Sequence, residues 1–118
     1  AYWGRKLNGG YMFFYGRLDE NGVSFQASSS MVGKRGGSTN QGVAVNPANN
    51  RLYFVSDDIL TSVPTSGVQS GNFSADDVHY QAFNSGREFE SLAFDQDGYG
   101  YLLALWPPEL MQSTEPLN

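Results

Sequence analysis

The fold is decided by residues 41–56, which run QGVAVNPANNRLYFVS. Val43 and Val45 alternate with small residues, and residues 51–56 are rich in the aromatic and β-branched side chains that favour strands. Between these two runs, Pro47 presets φ for a turn, and the two Asn residues that follow tolerate the left-handed region of φ/ψ space. The stretch therefore predicts a β-hairpin.

Two further strands are predicted after this hairpin. Residues 59–63 form a short third strand that Pro64 stops, because proline cannot donate a ladder hydrogen bond. A polar loop that contains Gly then leads to a fourth strand at residues 78–83. Four strands in meander order between residues 41 and 83 have the sequence pattern of one complete propeller blade.

The pattern of the hairpin begins again further along the chain. Residues 92–95 (LAFD), a turn at 96–98 and residues 101–105 (YLLAL) parallel residues 43–46 (VAVN), their turn and residues 51–55 (RLYFV). The offset of roughly 50 residues lies within the range of propeller repeats. A β-sandwich with two similar hairpins is the alternative.

The first forty residues are expected to be the last strands of a preceding blade. A dense apolar run predicts a strand at residues 11–16, and Asn21-Gly22 is the strongest short signal for a hairpin turn. This turn joins the first strand to a partner at residues 23–27. A separate hairpin is therefore predicted before residues 41–56.

Residues 84–118 are predicted to begin the next blade. Pro107 and Pro108 exclude regular strand or helix where they stand, so this blade is expected to lack its outer strands. The predicted strands are 11–16, 23–27, 41–46, 51–56, 59–63, 78–83, 90–95 and 100–105.

The expected fold class is all-β, a β-propeller fragment of two to three four-stranded antiparallel blades from a propeller of the six-bladed kind. Its parts are residues 1–40, the end of one blade, residues 41–83, one complete blade, and residues 84–118, the start of the next. A propeller closes with typically four to eight blades, so the remaining blades of the same protein are expected partners. The alternative is a complete small β domain.

Composition argues against several classes of function. The net charge is −5 with only seven Lys and Arg, which disfavours a nucleic-acid partner. No apolar run approaches the roughly 18 residues of a membrane helix, so no membrane partner is expected. The absence of Cys excludes disulfides and thiolate metal sites within these residues, and nothing in the sequence indicates a cofactor.

No catalytic or metal-binding set is predicted. His79 is the only His and falls on a predicted outer strand, where a surface or inter-blade role is expected, so no Ser-His-Asp set can be assembled around it. Residues 95–98 (DQDG) resemble the start of a calcium loop, but the distal Glu is missing and a hairpin turn is favoured. The acidic pairs at 57–58 and 76–77 are interpreted as solvated turn carboxylates.

Ligand-binding residues are expected in the two loops that enter the innermost strands, because those strands line the channel of a propeller. Polar side chains in the first loop can orient a ligand, Phe89 can stack on a ring, and Glu90 can neutralise an ammonium. The alternative is that the polar residues satisfy backbone groups between blades and that Glu88 pairs with Arg87. The predicted ligand-binding residues are Thr39, Asn40, Gln41, Phe89 and Glu90.

Three segments resemble the C-terminal part of the yellow/major royal jelly protein family. Residues 31–41 look like that family's Gly-x-Arg-Gly loop with its Ser/Asn/Gln-rich continuation, residues 51–55 like its aromatic strand, and residues 95–108 like its late blade. Two segments depart from the family. Residues 62–64 (SVP) stand where members often carry Cys-Trp-Asn, which removes a family disulfide partner, and residues 88–91 replace the Pro-rich entry to the late blade.

The resemblance implies a secreted propeller that binds an aromatic or cationic small molecule in its central channel. Asn72-Phe73-Ser74 is a glycosylation sequon, which fits secretion. A few family members are associated with dopachrome conversion, so an enzyme that converts dopachrome, of the isomerase type, is the first alternative. A structural, storage or partner-binding secreted protein is the second.

Overall fold

The structure, a computed structural model, describes residues 1–7, 10–28, 32–33, 41–56, 58–83 and 85–117. The strands of this part of the chain are β1 (Tyr2–Leu7), β2 (Gly10–Asp19), β3 (Gly22–Ser28), β4 (Val32–Gly33), β5 (Gln41–Asn46), β6 (Arg51–Ser56), β7 (Ile59–Pro64), β8 (His79–Ala82), β9 (Glu88–Phe94), β10 (Gly100–Leu105) and β11 (Glu109–Gln112). Helix α1 (Thr65–Ser70) and a 3₁₀ turn (Ala75–Asp77) lie between β7 and β8. Each of the eight predicted strands overlaps one of the observed strands.

The strands form three antiparallel sheets. The N-terminal sheet has the order β1-β2-β3, with β4 paired to β2, and the C-terminal sheet has the order β11-β10-β9. The central sheet has the order β5-β6-β7-β8, the meander expected for residues 41–83. The antiparallel all-β class is therefore confirmed, while the three sheets of the described residues form no closed barrel.

Strand β6 of the central sheet is buried on both faces, and its successive side chains point to opposite sides of the sheet. Leu52 and Phe54 pack with Phe13 of the N-terminal sheet, and the rings of Phe13 and Phe54 have centroids 5.5 Å apart. Tyr53 and Val55 pack with residues of the C-terminal sheet. The three sheets are therefore stacked face to face, with the central one in the middle.

The first strands of the three sheets lie next to one another. β5 contacts β1 on one side and β9 on the other. Both β5 and β9 also carry a β-bulge near their start: Gly42 is the extra residue between Gln41 and Val43, and Glu90 is the extra residue between Phe89 and Ser91. By contrast, the last strands β8 and β11 expose every side chain.

The turns of the two repeated hairpins contact each other. The carboxylate of Asp95 accepts hydrogen bonds from the backbone N–H of Asp97 at 2.9 Å and of Tyr99 at 3.0 Å, so residues 95–98 form the favoured hairpin turn. Gly98 has φ +90°, and a Cβ there would lie 2.9 Å from the Cβ of Ala48 in the β5–β6 turn. The two turns are therefore in contact.

Two elements differ from the sequence-based expectation. The last predicted blade has a third strand, β11, because the Pro pair occupies only a turn and pairing with β10 resumes at Glu109. The loop expected before residue 78 contains α1, which ends at Gly71 with φ +78° and buries Val68 completely. A helix this short depends on such packing rather than on propensity. Within the described residues, no helix is long and apolar enough to cross a membrane.

Candidate functional site

A cleft of about 350 Å³ opens at one end of the central and C-terminal sheets. It is lined by Asp58, Gly86, Arg87, Glu88 and Trp106, and is called the Trp106 cleft below. Three loops supply these residues: the β6–β7 turn, the approach to β9 and the β10–β11 turn. Antiparallel pairing brings all three loops to the end at which β5 and β9 begin.

Asp58 fixes the loop that leads into β9. Its Oδ2 accepts hydrogen bonds from the backbone N–H of Ser85 at 2.6 Å and from the Ser85 hydroxyl at 3.2 Å. Its backbone carbonyl accepts from the N–H of Phe83 at 3.1 Å, and the Ser85 hydroxyl accepts from the N–H of Arg87 at 3.2 Å. The β6–β7 turn therefore holds the position of the next sheet's first strand.

The positive charge of Arg87 is neutralised within the wall of the cleft. Its Nη1 forms an ion pair with the Glu109 carboxylate, and its Nη2 donates a hydrogen bond to the carbonyl of Pro107. The Arg87 side chain is only 19% exposed, whereas the Glu109 side chain is 56% exposed, so the ion pair is open to water on the Glu109 side. Arg87 therefore pairs with Glu109 and not with Glu88, the partner considered from the sequence.

Trp106 and Glu88 form the polar and aromatic side of the cleft. The indole Nε1 of Trp106 donates a long hydrogen bond of 3.3 Å to Oε2 of Glu88. Trp106 is 76% exposed, so most of its ring is accessible to a ligand. An aromatic face next to a carboxylate attracts cations, through the ring quadrupole and through direct charge.

The charges of the cleft favour a cation over an anion. With Arg87 matched by Glu109, the carboxylates of Asp58 and Glu88 leave an excess of negative charge. Opposite charges at short range attract strongly where water is partly excluded. The arrangement can therefore hold a small ligand that combines an ammonium with an aromatic or apolar body.

The predicted ligand-binding residues have different places relative to this cleft. Thr39 and Asn40 lie outside the described residues. Gln41 begins β5, where it pairs with Val55. Glu90 is the bulge residue of β9 and is half-buried, two positions after the cleft residue Glu88. The ligand-binding role of these residues stays a prediction.

Phe89 is almost completely buried, at 1% exposed, between the central and C-terminal sheets. It packs with Tyr53 and Leu60 and meets the ring of Phe83 edge-on at a centroid distance of 5.3 Å. Removing this ring would leave a cavity in the core, so Trp106 is the better aromatic residue for a binding test.

No known family model matches the chain, and neither does a curated protein or a solved structure. None of the five cleft residues was among the predicted ligand-binding residues, and two of them, Asp58 and Trp106, lie outside the two loops in which such residues were expected. The signal that could have found them is the meander itself, because it returns the β6–β7 and β10–β11 turns to the end where the first strands begin.

The other candidate groups lie away from the Trp106 cleft. His79 and Tyr80 line a separate cavity of about 110 Å³ beside β7 and β8. Hydrogen bonds from the backbone and hydroxyl of Ser74 lower the pKa of the Asp77 carboxyl, which caps the 3₁₀ turn. The described residues contain no group of three or more His, Cys, Asp or Glu that could hold a metal ion. Asn72 is exposed in the turn after α1.

Proposed function

We propose that this chain is part of a secreted β-propeller that binds a small aromatic or cationic molecule in the Trp106 cleft. Two features of the fold support the propeller: three antiparallel sheets stack face to face, and their first strands lie side by side. Blades of a propeller pack radially around a channel in this way. The ends of β5 and β9 that border the cleft would then lie at the mouth of that channel.

One observation carries the binding function: an exposed Trp106 ring lies in the same cleft as the carboxylates of Asp58 and Glu88. An exposed aromatic ring offers a face on which an aromatic or cationic group of a ligand can pack. A ligand with an ammonium group offsets the loss of its own hydration by pairing with the carboxylates. An aromatic amine meets both requirements.

The resemblance to the yellow/major royal jelly protein family supports an extracellular location and places the ligand class among biogenic amines. Glycosylation of Asn72 belongs to the same proposal, and the exposure of this residue in a turn is compatible with it. Catalysis is a separate possibility. The absorbance of dopachrome shows whether the protein converts it. If it does, the enzymatic alternative replaces the binding function.

The binding test is calorimetry with serotonin, dopamine and octopamine. Trp106→Ala should weaken the binding of each amine by about 0.5–2 kcal/mol, the range of a cation–π contact from exposed to desolvated. Glu88→Gln should weaken the binding of the amines but leave the binding of catechol unchanged, because catechol is neutral. Glu115→Gln, which removes an exposed carboxylate outside the cleft, is the matched control. If both cleft variants bind the amines as the parent does, the cleft is not the site.

A further inference from the structure

Trp106 has an unusual backbone conformation. Its φ is +64°, in the left-handed region that a bulky side chain rarely adopts. The ring is 76% exposed, and the hydrogen bond from its Nε1 to Glu88 is long, at 3.3 Å. Such a conformation persists only where surrounding groups hold it, and it clusters at functional sites. A neighbouring residue is therefore expected to fix the β10–β11 turn.

Arg87 is placed to fix this turn. Its Nη2 donates a hydrogen bond to the carbonyl of Pro107, the residue after Trp106, and its Nη1 pairs with Glu109, the first residue of β11. One planar guanidinium thereby holds two points of the turn, a geometry that the ammonium of a lysine does not reproduce. Because only 19% of the Arg87 side chain is exposed, the side chain is itself confined.

Arg87 is also connected to the third loop of the cleft. The Ser85 hydroxyl accepts a hydrogen bond from the backbone N–H of Arg87 at 3.2 Å and contacts Oδ2 of Asp58 at 3.2 Å. A continuous chain of contacts therefore runs from the β6–β7 turn through the approach to β9 and on to the β10–β11 turn. These are the three loops that form the Trp106 cleft.

The charge of Arg87 by itself opposes the binding of a cation. A guanidinium in the wall of the cleft repels an ammonium, and Glu109 offsets this repulsion. The charge of Arg87 therefore does not explain its place in the wall, whereas its contacts with the turn do.

We propose that Arg87 is the positioning residue of the Trp106 cleft and holds the Trp106 ring where the ring and the Glu88 carboxylate meet the same ligand. The inference rests on the proposed binding function and deepens it, because it states what controls the site. While Arg87 holds the turn, the ring is in place for a cationic ligand. When these contacts open, the turn is released and the ring no longer adds to the affinity.

The binding test uses calorimetry with dopamine on two variants of the 118-residue chain that keep its net charge. Arg87→Met combined with Glu109→Gln removes both charges of the ion pair, and Arg87→Lys retains the charge without the guanidinium fork. The combined variant should bind dopamine about 2- to 30-fold more weakly than the parent, the range of a lost cation–π contact. Arg87→Lys should be weakened in the same direction. Arg17→Lys, at an exposed position of β2, is the matched control and should bind as the parent does.

A Trp106→Ala background separates positioning from direct contact with the ligand. If Arg87 acts through the ring, the combined change at Arg87 and Glu109 should cause no further loss of affinity once Trp106 is alanine. An equal loss in both backgrounds would overturn the proposal, because Arg87 would then act on the ligand without the ring.

A measurement without ligand distinguishes this inference from the proposed function. In a Trp3→Phe background, Trp106 is the one tryptophan of the sequence, and the decay of its fluorescence anisotropy reports nanosecond motion of the ring. The fast component should be larger in both Arg87 variants than in the parent, with urea denaturation as the check that each variant is folded. Arg87→Lys, the smaller change, remains decisive if the combined variant does not fold. A parent that binds no amine would overturn the proposed function, whereas an unchanged anisotropy decay would overturn the role of Arg87.

Discussion

Paired substitutions on the two faces of β6 test the burial of the central sheet. Leu52 faces the N-terminal sheet and Val55 the C-terminal sheet, and both are 0% exposed. Leu52→Ala removes three buried carbon atoms, a loss of about 2.4 kcal/mol at about 0.8 kcal/mol per group, and the cavity raises the cost to about 3–5 kcal/mol. Val55→Ala removes two carbons and should cost about 1.6–3 kcal/mol for the same reasons.

The free energy of unfolding of each variant can be measured by urea denaturation at equilibrium. The side chains of Leu52 and Val55 belong to separate clusters and lie about 10 Å apart along the strand, at about 3.3 Å per residue. Sites that share no partners contribute independently, so the double variant should lose the sum of the two single losses to within about 0.5 kcal/mol.

Leu110→Ala is the control for this series. It makes the same chemical change as Leu52→Ala at a side chain that is 74% exposed, and should alter stability by no more than about 0.5 kcal/mol. A loss below about 0.5 kcal/mol for either β6 variant would mean that its face of the sheet meets water, as in a two-layer sandwich. That result would refute the three-layer stack.

Two further predictions concern polar groups of the central sheet and its connection. Thr61 is 1% exposed, and its hydroxyl has no hydrogen-bond partner among the described residues. Thr61→Val should therefore raise the free energy of unfolding, measured by urea denaturation, by up to about 1–2 kcal/mol. Thr65 is more exposed, so Thr65→Val should not raise it. The hydrogen bonds from Ser74 lower the pKa of Asp77 in the folded protein, so this cap is complete above the unfolded value of about 3.9 and is lost as pH falls through the lower folded value. The Ser74 amide should therefore lose its protection from hydrogen exchange in that acid range in the parent and in Asp76→Asn, while Asp77→Asn should show no such pH dependence.

Much of the fold could be predicted because its signals are local. The alternation in β5, the turn residue Pro47 and the aromatic run of β6 each determine one element within a few residues. The repeat of the hairpin pattern then predicts β9 and β10 as well. By contrast, α1 depends on the burial of Val68 against residues that are distant in the sequence. Local helix propensity cannot predict that contact.

The candidate site was harder to predict because three separate loops form it. Asp58, Glu88 and Trp106 come together only when the strands are paired in their observed order. Phe89 was interpreted from the sequence as a ring available to a ligand, yet it fills the core between two sheets. Position in a strand indicates on which side a side chain points, but not which sheet covers that side.

The contrast between β6 and β8 has a consequence for how this sequence can change over time. Residues 52–55 of β6 are all buried, so each of these positions tolerates few replacements. The strand β8 exposes all four side chains and is joined to β7 through backbone hydrogen bonds, which do not depend on side-chain identity. Variation should accumulate at the outer rim and leave the inner strands unchanged. The rim is therefore where such a protein can acquire new surface chemistry without disturbing the buried inner strands.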